Sequence, residues 1–136
     1  NAYGSPVIVV DFGTATNIDV VDDRGAYRGG AISPGLMLSA NALFSKAAKL
    51  ASIPVEAPEH ALGDTTETAM QSGLVIGAEG LVSRMKAELD IEQAKVIGTG
   101  GLARTVSRAT DLFDAVDPTL TLRGIREIWL QQHGGA

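Results

Sequence analysis

No cysteine occurs anywhere in the 136 residues, so neither a disulfide framework nor a thiolate metal site is open to this chain. Aromatic residues make up only 4% of a sequence that is 45% hydrophobic, so the core has to be built from aliphatic side chains. Positive charge is also scarce: 11 Lys and Arg against 16 Asp and Glu leave a formal net charge of -5, which withholds the basic footprint that a nucleic-acid backbone needs. No apolar run approaches the roughly 20 residues that span a bilayer, and no basic-then-apolar leader opens the chain. These absences point to a soluble, cytoplasmic protein with no nucleic-acid or membrane partner. The length suits one domain, residues 1–136, with a core of its own. Starting at Asn1 rather than Met, the chain reads as a fragment or a processed product.

What is present is concentrated near the N-terminus. In Val7-Ile8-Val9-Val10-Asp11-Phe12-Gly13-Thr14-Ala15-Thr16 an apolar strand ends on an acid and a Gly-Thr turn, and the chain runs straight into a second strand. Gly13 lets backbone approach an anion closely, and the amides and hydroxyls around Thr14 and Thr16 are donors for phosphate oxygens. An acid beside a phosphate repels it unless a cation lies between them, so Asp11 reads as a ligand to a metal ion or its waters. The plainer reading of the same residues is a tight hairpin turn and nothing more.

Hydrophobic periodicity orders the rest. Val7–Asp11, Thr16–Val21 and Ala26–Ile32 read as a three-stranded antiparallel meander, with Asp22-Asp23-Arg24-Gly25 as the second turn. Ser33-Pro34 supplies an N-cap and a first-turn proline for a helix from about Gly35 to Leu50. Ala51–Asp64, with Pro54 and Pro58, is a loop; a second helix runs from about Thr66 to Leu89, in which Ala69, Gly73, Ile76, Gly77, Gly80 and Leu81 give a face of small residues. Ala94 to Ala103 reads as a parallel strand, the glycine turn Gly98-Thr99-Gly100-Gly101 and the start of a helix. A short strand over Phe113–Val116 and a last helix opened by Asp117-Pro118-Thr119-Leu120 complete the chain, whose order is βββαβαβα when the two consecutive helices are counted as one helical connection. This mixed α/β order is the ribonuclease H-like arrangement, one half of the actin-like, sugar-kinase architecture.

Six motifs in order then carry a resemblance: Asp11-Phe12-Gly13-Thr14-Ala15-Thr16, Gly29-Gly30-Ala31-Ile32-Ser33-Pro34-Gly35, Ala42 to Leu50, Thr66-Glu67-Thr68-Ala69-Met70-Gln71-Ser72-Gly73, Gly98-Thr99-Gly100-Gly101-Leu102-Ala103 and Val116 to Gly124. Together they resemble type III pantothenate kinase, of which the chain corresponds to the C-terminal half. The resemblance implies transfer of the γ-phosphoryl group of ATP to the terminal hydroxyl of pantothenate, the first step toward coenzyme A. It implies ATP with Mg2+, and a monovalent cation, K+ or NH4+, at Asp11. It places Thr14, with Gly13, at the ATP phosphates, Gly98, Thr99, Gly100 and Gly101 beside the adenosine, the 29–35 segment as a turn lining the nucleotide cleft, and Thr66 at pantothenate. Family members are dimers, which implies a homodimer here. They also carry an N-terminal half of the same fold with its own phosphate turn, and a Gly-x-Asp-Arg segment, just before the point where this chain starts, whose aspartate serves as general base. Both lie outside this sequence, so it contains no catalytic base, and the chain alone is expected to be inactive.

Other chemistry-bearing residues have structural readings. Thr66 and Thr68 suit helix capping as well as ligand contact. Asp117 suits a cap for the last helix, Asp114 a loop, His60 and His133 the surface, and Glu88, Asp90 and Glu92 a solvated face. Two further readings stand beside the kinase: a non-catalytic actin-like half-domain that folds and dimerises, and a ribonuclease H-like nuclease using Asp11, Asp19 and Asp22 with two divalent ions.

Overall fold

The computed structural model describes residues 2–46 and 53–134. β1 (Val7–Phe12) buries Ile8, Val10 and Phe12 on one face, and β2 (Ala15–Val21) sets Val20, Ile18 and Thr16 directly opposite them. Strict alternation of buried residues with partly buried or exposed ones along both strands fixes the register, since a slip of one residue would turn these side chains away from the core. β3 (Tyr27–Pro34) pairs with β2, and β4 (Lys95–Thr99) runs parallel to β1 on its other side. β5 (Ala115–Val116) pairs parallel to β4, giving a five-stranded sheet in the order β3-β2-β1-β4-β5. Val96 to Thr99 are buried without a break, as expected of a parallel strand covered on both faces.

The turn between β2 and β3 is organised by Asp22. Its carboxylate accepts from the amides of Arg24 at 3.0 Å and Ala26 at 2.9 Å, and Arg28 donates to its other oxygen at 3.3 Å. The Ala26 amide, with help from Arg28 and the Arg24 amide, holds the Asp22 carboxyl below the usual carboxylate range despite its partial burial. A depressed folded-state pKa stabilises the turn above the unfolded value of roughly 3.9, and that stabilisation is lost as pH falls through the folded value. The Arg24 and Ala26 amide resonances are therefore expected to shift only below about pH 4, and to lose that transition in Asp22→Asn. A midpoint at or above the ordinary aspartate value would contradict this assignment.

Two sequence expectations are corrected at the end of the meander. Gly29 to Gly35 is not a turn: β3 continues through Ser33 and Pro34, which pair with Thr16 and Ala15. Pro34 therefore closes a strand instead of opening a helix, which is tolerated because β3 lies at the sheet edge, where a missing N–H costs no ladder bond. α1 (Leu36–Lys46) starts after it; its suggested continuation to Leu50 and the start of the loop at Ala51 lie outside the described residues.

α2 (Thr66–Leu89) has the expected bounds but a different cap. Thr65, not Thr66 or Thr68, is the N-cap: its hydroxyl accepts from the Thr68 amide at 3.1 Å while the Thr68 hydroxyl accepts from the Thr65 amide at 3.0 Å, a reciprocal capping box. The helix buries Gln71, Val75 and Val82 against the sheet, whereas Ala69, Gly73, Gly77 and Gly80 on the small-residue face are exposed. The helix ends at Asp90, in the left-handed region at φ 55°. After β4 come the short α3 (Ala103–Ser107) and, beyond β5, α4 (Leu120–His133). α4 buries none of its side chains, and Leu122 and Trp129 are 69% and 58% exposed, so its apolar face is unpartnered among the described residues. No helix among the described residues is long and apolar enough to cross a membrane.

Candidate functional site

β1 and β4 are parallel neighbours, so their carboxyl ends open on the same edge of the sheet, the edge at which parallel α/β sheets bind ligands. Asp11 stands opposite Thr99 there. Beyond them the two turns touch: the Leu102 amide donates to the Phe12 carbonyl at 3.4 Å, and Gly100 adopts φ +89° with its α-carbon against β1. A Cβ at Gly100 would fall 2.5 Å from Asp11 Oδ1 and 2.7 Å from the Phe12 carbonyl carbon. Only glycine fits, on both conformational and steric grounds.

On the other side, the Gly35 amide donates to the Thr14 carbonyl at 3.1 Å, and a Cβ at Gly35 would fall 2.1 Å from that oxygen. The Gly13–Thr14 turn is thus held between the end of β3 and the Gly100 turn. Gly13 and Thr14 remain exposed, the Gly13 amide donating to Ala15 at 3.1 Å. The structure therefore brings Asp11, Gly13, Thr14, Gly100 and Gly101 together. Gly98 and Thr99 are buried strand residues, with the Phe113 ring over Gly98, so the open part of this glycine segment is Gly100-Gly101.

Asp11 has no hydrogen-bond or ion-pair partner among the described side chains, and no group of three or more His, Asp and Glu could hold a metal among the described residues. This counts against the nuclease reading. Asp22 is committed to its own turn, and Asp19 accepts from the exposed Tyr27 hydroxyl at 3.0 Å.

Thr66 sits elsewhere. It is exposed at the start of α2 and its hydroxyl makes no hydrogen bond among the described residues. One turn further on, Ala69 and Met70 line a cavity of about 510 Å³ with Phe12, Thr16, Ser33 and Pro34, so the α2 N-terminus lies at the same end of the sheet as the Asp11 turn. Thr66 itself is not part of that lining.

The remaining acids have structural partners. Asp117 precedes the N-cap of α4, which is Thr119, and accepts from the Thr119 amide and hydroxyl at 3.0 Å, the Tyr3 hydroxyl at 2.8 Å and the Arg123 guanidinium. The expected cap is thus displaced by two residues. Asp114 accepts from the Val96 amide at 2.7 Å, fixing the approach to β5. His60 and His133 lie on the surface, the latter stacked on Trp129 at 5.0 Å. The contact of Gly35 with the Thr14 turn was missed by sequence reasoning; the Ser-Pro-Gly step was its only signal.

The comparisons with known proteins fit this geometry. A family model described as type III pantothenate kinase matches residues 1–88. A type III pantothenate kinase of Agathobacter rectalis is 45% identical over 135 residues, covering 96% of this chain and 52% of that protein. The type III pantothenate kinase of Geobacillus kaustophilus is 48% identical over 131 residues, covering 93% of this chain and 50% of its own length. The chain thus spans about half the length of these curated relatives. A crystal structure from Campylobacter jejuni, carried under the name of a Baf family transcriptional activator, superposes with a TM-score of 0.74 over 96% of this chain and 60% of that one. At 23% identity that likeness concerns the fold alone.

Proposed function

The chain belongs to the type III pantothenate kinase family, and we propose that it forms the C-terminal, nucleotide- and pantothenate-binding half of an enzyme that transfers the γ-phosphoryl group of ATP to pantothenate. The observation that carries this reading is the junction of the Gly13–Thr14 and Gly100–Gly101 turns beside Asp11, at the carboxyl ends of two parallel strands. Phosphoryl transfer asks a protein mainly for positioning and charge stabilisation, and exposed turn amides with a threonine hydroxyl can supply the positioning. The sheet order β3-β2-β1-β4-β5 supports reading the domain as ribonuclease H-like, one half of an actin-like fold.

The donors around Asp11 suit a monovalent ion. Among the described residues no cluster of three or more acids and histidines stands at Asp11, and a single carboxylate matches K+ or NH4+ better than a divalent site; Mg2+ would arrive with the ATP phosphates. When bound, the ion would offset the repulsion between Asp11 and phosphate. Asp11 would hold it, while Gly13 lets the backbone come close and Thr14 with the amides of Gly100 and Gly101 would orient the nucleotide.

In this reading the exposed faces of α2 and α4 are contact surfaces, one for a second copy and the other for the N-terminal half. Sedimentation at high micromolar concentration reads the first: a strictly monomeric species would refute the homodimer. The reaction uses water-soluble substrates, and its proposed location is the cytoplasm, which cell fractionation checks.

Thr66 is the proposed pantothenate contact. Because Thr65 already caps α2, the Thr66 hydroxyl is available to a ligand without cost to the helix. In a kinase of full family length containing this chain, Thr66→Val is expected to weaken pantothenate by about 1–2 kcal/mol, one lost hydrogen bond, with the KM for ATP and the Tm unchanged. A fall in Tm with an unmoved pantothenate KM would return Thr66 to a purely structural role.

A further inference from the structure

Gly98 lies inside β4 and has no left-handed backbone to account for it, and a glycine within a strand marks a place where another group comes close. Here that group is the Phe113 ring. A Cβ at Gly98 would fall 3.2 Å from Phe113 Cδ1 and 3.6 Å from the Ala103 Cβ, and both neighbours belong to the core rather than to the open Gly100–Gly101 turn. The same ring meets Phe12, the last residue of β1, edge to face, with centroids 5.9 Å apart and planes at 71°, an arrangement aromatic pairs prefer. Phe12 runs directly into Gly13–Thr14, and Gly98 stands just before Thr99 and the Gly100 turn. One side chain thus touches both strands where each gives way to a turn of the candidate site.

The ring is fixed in place from β4. Asp114, next in the chain, donates its amide to the Val96 carbonyl at 2.9 Å and accepts from the Val96 amide at 2.7 Å, and the Asp117 amide donates to the Gly98 carbonyl at 2.8 Å. Phe113 cannot slide along β4 without breaking these bonds. The β1–β4 ladder itself stops at the Asp11–Thr99 pair, and beyond it the Leu102 amide reaches the Phe12 carbonyl at a long 3.4 Å. A ligand held between two turns needs donors from both within about 3 Å, and a displacement of about 0.5 Å in either takes them out of productive geometry.

We propose that Phe113 is a positioning residue for the nucleotide: wedged against Gly98 and Phe12, it sets the separation of the Gly13–Thr14 and Gly100–Gly101 turns. This rests on the reading of those turns as the nucleotide site. The ring acts through the two strand residues it presses on. Gly98 is then a seat for the ring, and its missing side chain serves the nucleotide at one remove.

The test uses steady-state kinetics and thermal melts on a protein of full family length containing this chain, with four variants: Phe113→Leu, Gly98→Ala, the Gly98→Ala/Phe113→Leu double variant and Thr14→Ala. Phe113→Leu is expected to raise the KM for ATP about five-fold, the scale of one net hydrogen bond, with the KM for pantothenate unmoved. Gly98→Ala, whose methyl group pushes the ring instead of trimming it, is expected to give the same split. In the double variant the two effects on ATP are expected to be less than multiplicative, because both pass through one contact. A lowered Tm with both KM values unmoved in Phe113→Leu and Gly98→Ala would overturn the proposal, as would a parallel rise in both KM values, while a raised KM for ATP in Thr14→Ala would leave the nucleotide site standing. If Thr14→Ala also leaves the KM for ATP unmoved, the nucleotide assignment fails first and the positioning role falls with it.

Discussion

Gly100→Ala is expected to abolish ATP binding and to destabilise the domain by about 3–5 kcal/mol, a penalty reserved for strained or overpacked positions. Two independent costs combine. Alanine at φ +89° is strained whatever its surroundings, and its methyl group would fall 2.5 Å from Asp11 Oδ1 and 2.7 Å from the Phe12 carbonyl carbon. The displaced atoms belong to the backbone of β1 and to the proposed cation ligand, so relief of the clash has to separate the two turns that form the site. Gly101 is the internal control for stability. A Cβ there meets nothing within 4 Å, and Gly101→Ala should change stability by less than about 1 kcal/mol. Equal urea midpoints for the two variants would show that the Gly100 contact does not hold the turns together.

The chain by itself is expected to give no phosphorylation of pantothenate above background. Its relatives are about twice as long, and the acids next to Thr66 in the chain are Glu67, exposed in the first turn of α2, and Asp64, which accepts from the Thr68 hydroxyl at 3.3 Å within the helix cap. A general base has to come within hydrogen-bond reach of the proton it removes. Adding the N-terminal half of a family member in trans is the complementary experiment, and recovered turnover would locate the missing group there. Clear ATP-dependent turnover by the chain alone would place the base within it and overturn the division of labour proposed above.

Much of the scaffold was legible in the sequence because it rests on periodicity and turn chemistry. Alternation in Val7–Phe12 and Ala15–Val21 has only one consistent face, and Asp22 to Gly25 can hardly be anything but a turn. The start of α2 was legible to within one residue, yet the cap fell on Thr65 because three threonines in four positions compete for it and only the Thr65–Thr68 pair closes both hydrogen bonds. Pro34 was misread for a related reason: a proline before a helical pattern signals a first turn, and nothing local reveals that the strand carrying it lies at a sheet edge. The apolar residues of α4 bury nothing among the described residues, since periodicity reports an apolar face without naming what covers it. The approach of Gly100 to Asp11 and of Gly35 to Thr14 joins residues far apart in sequence. Glycine marks such places without saying what comes close.

The measurement that bears most directly on the whole account is a calorimetric titration of ATP into a protein of full family length containing this chain, in potassium and in sodium, repeated with Asp11→Asn. If Asp11 holds a monovalent ion against the phosphates, ATP binds more tightly in potassium, and the difference between the two salts disappears in the variant while its Tm stays close to that of the parent. A potassium effect that survives unchanged in Asp11→Asn would remove Asp11 from the nucleotide site and contradict the account at its centre.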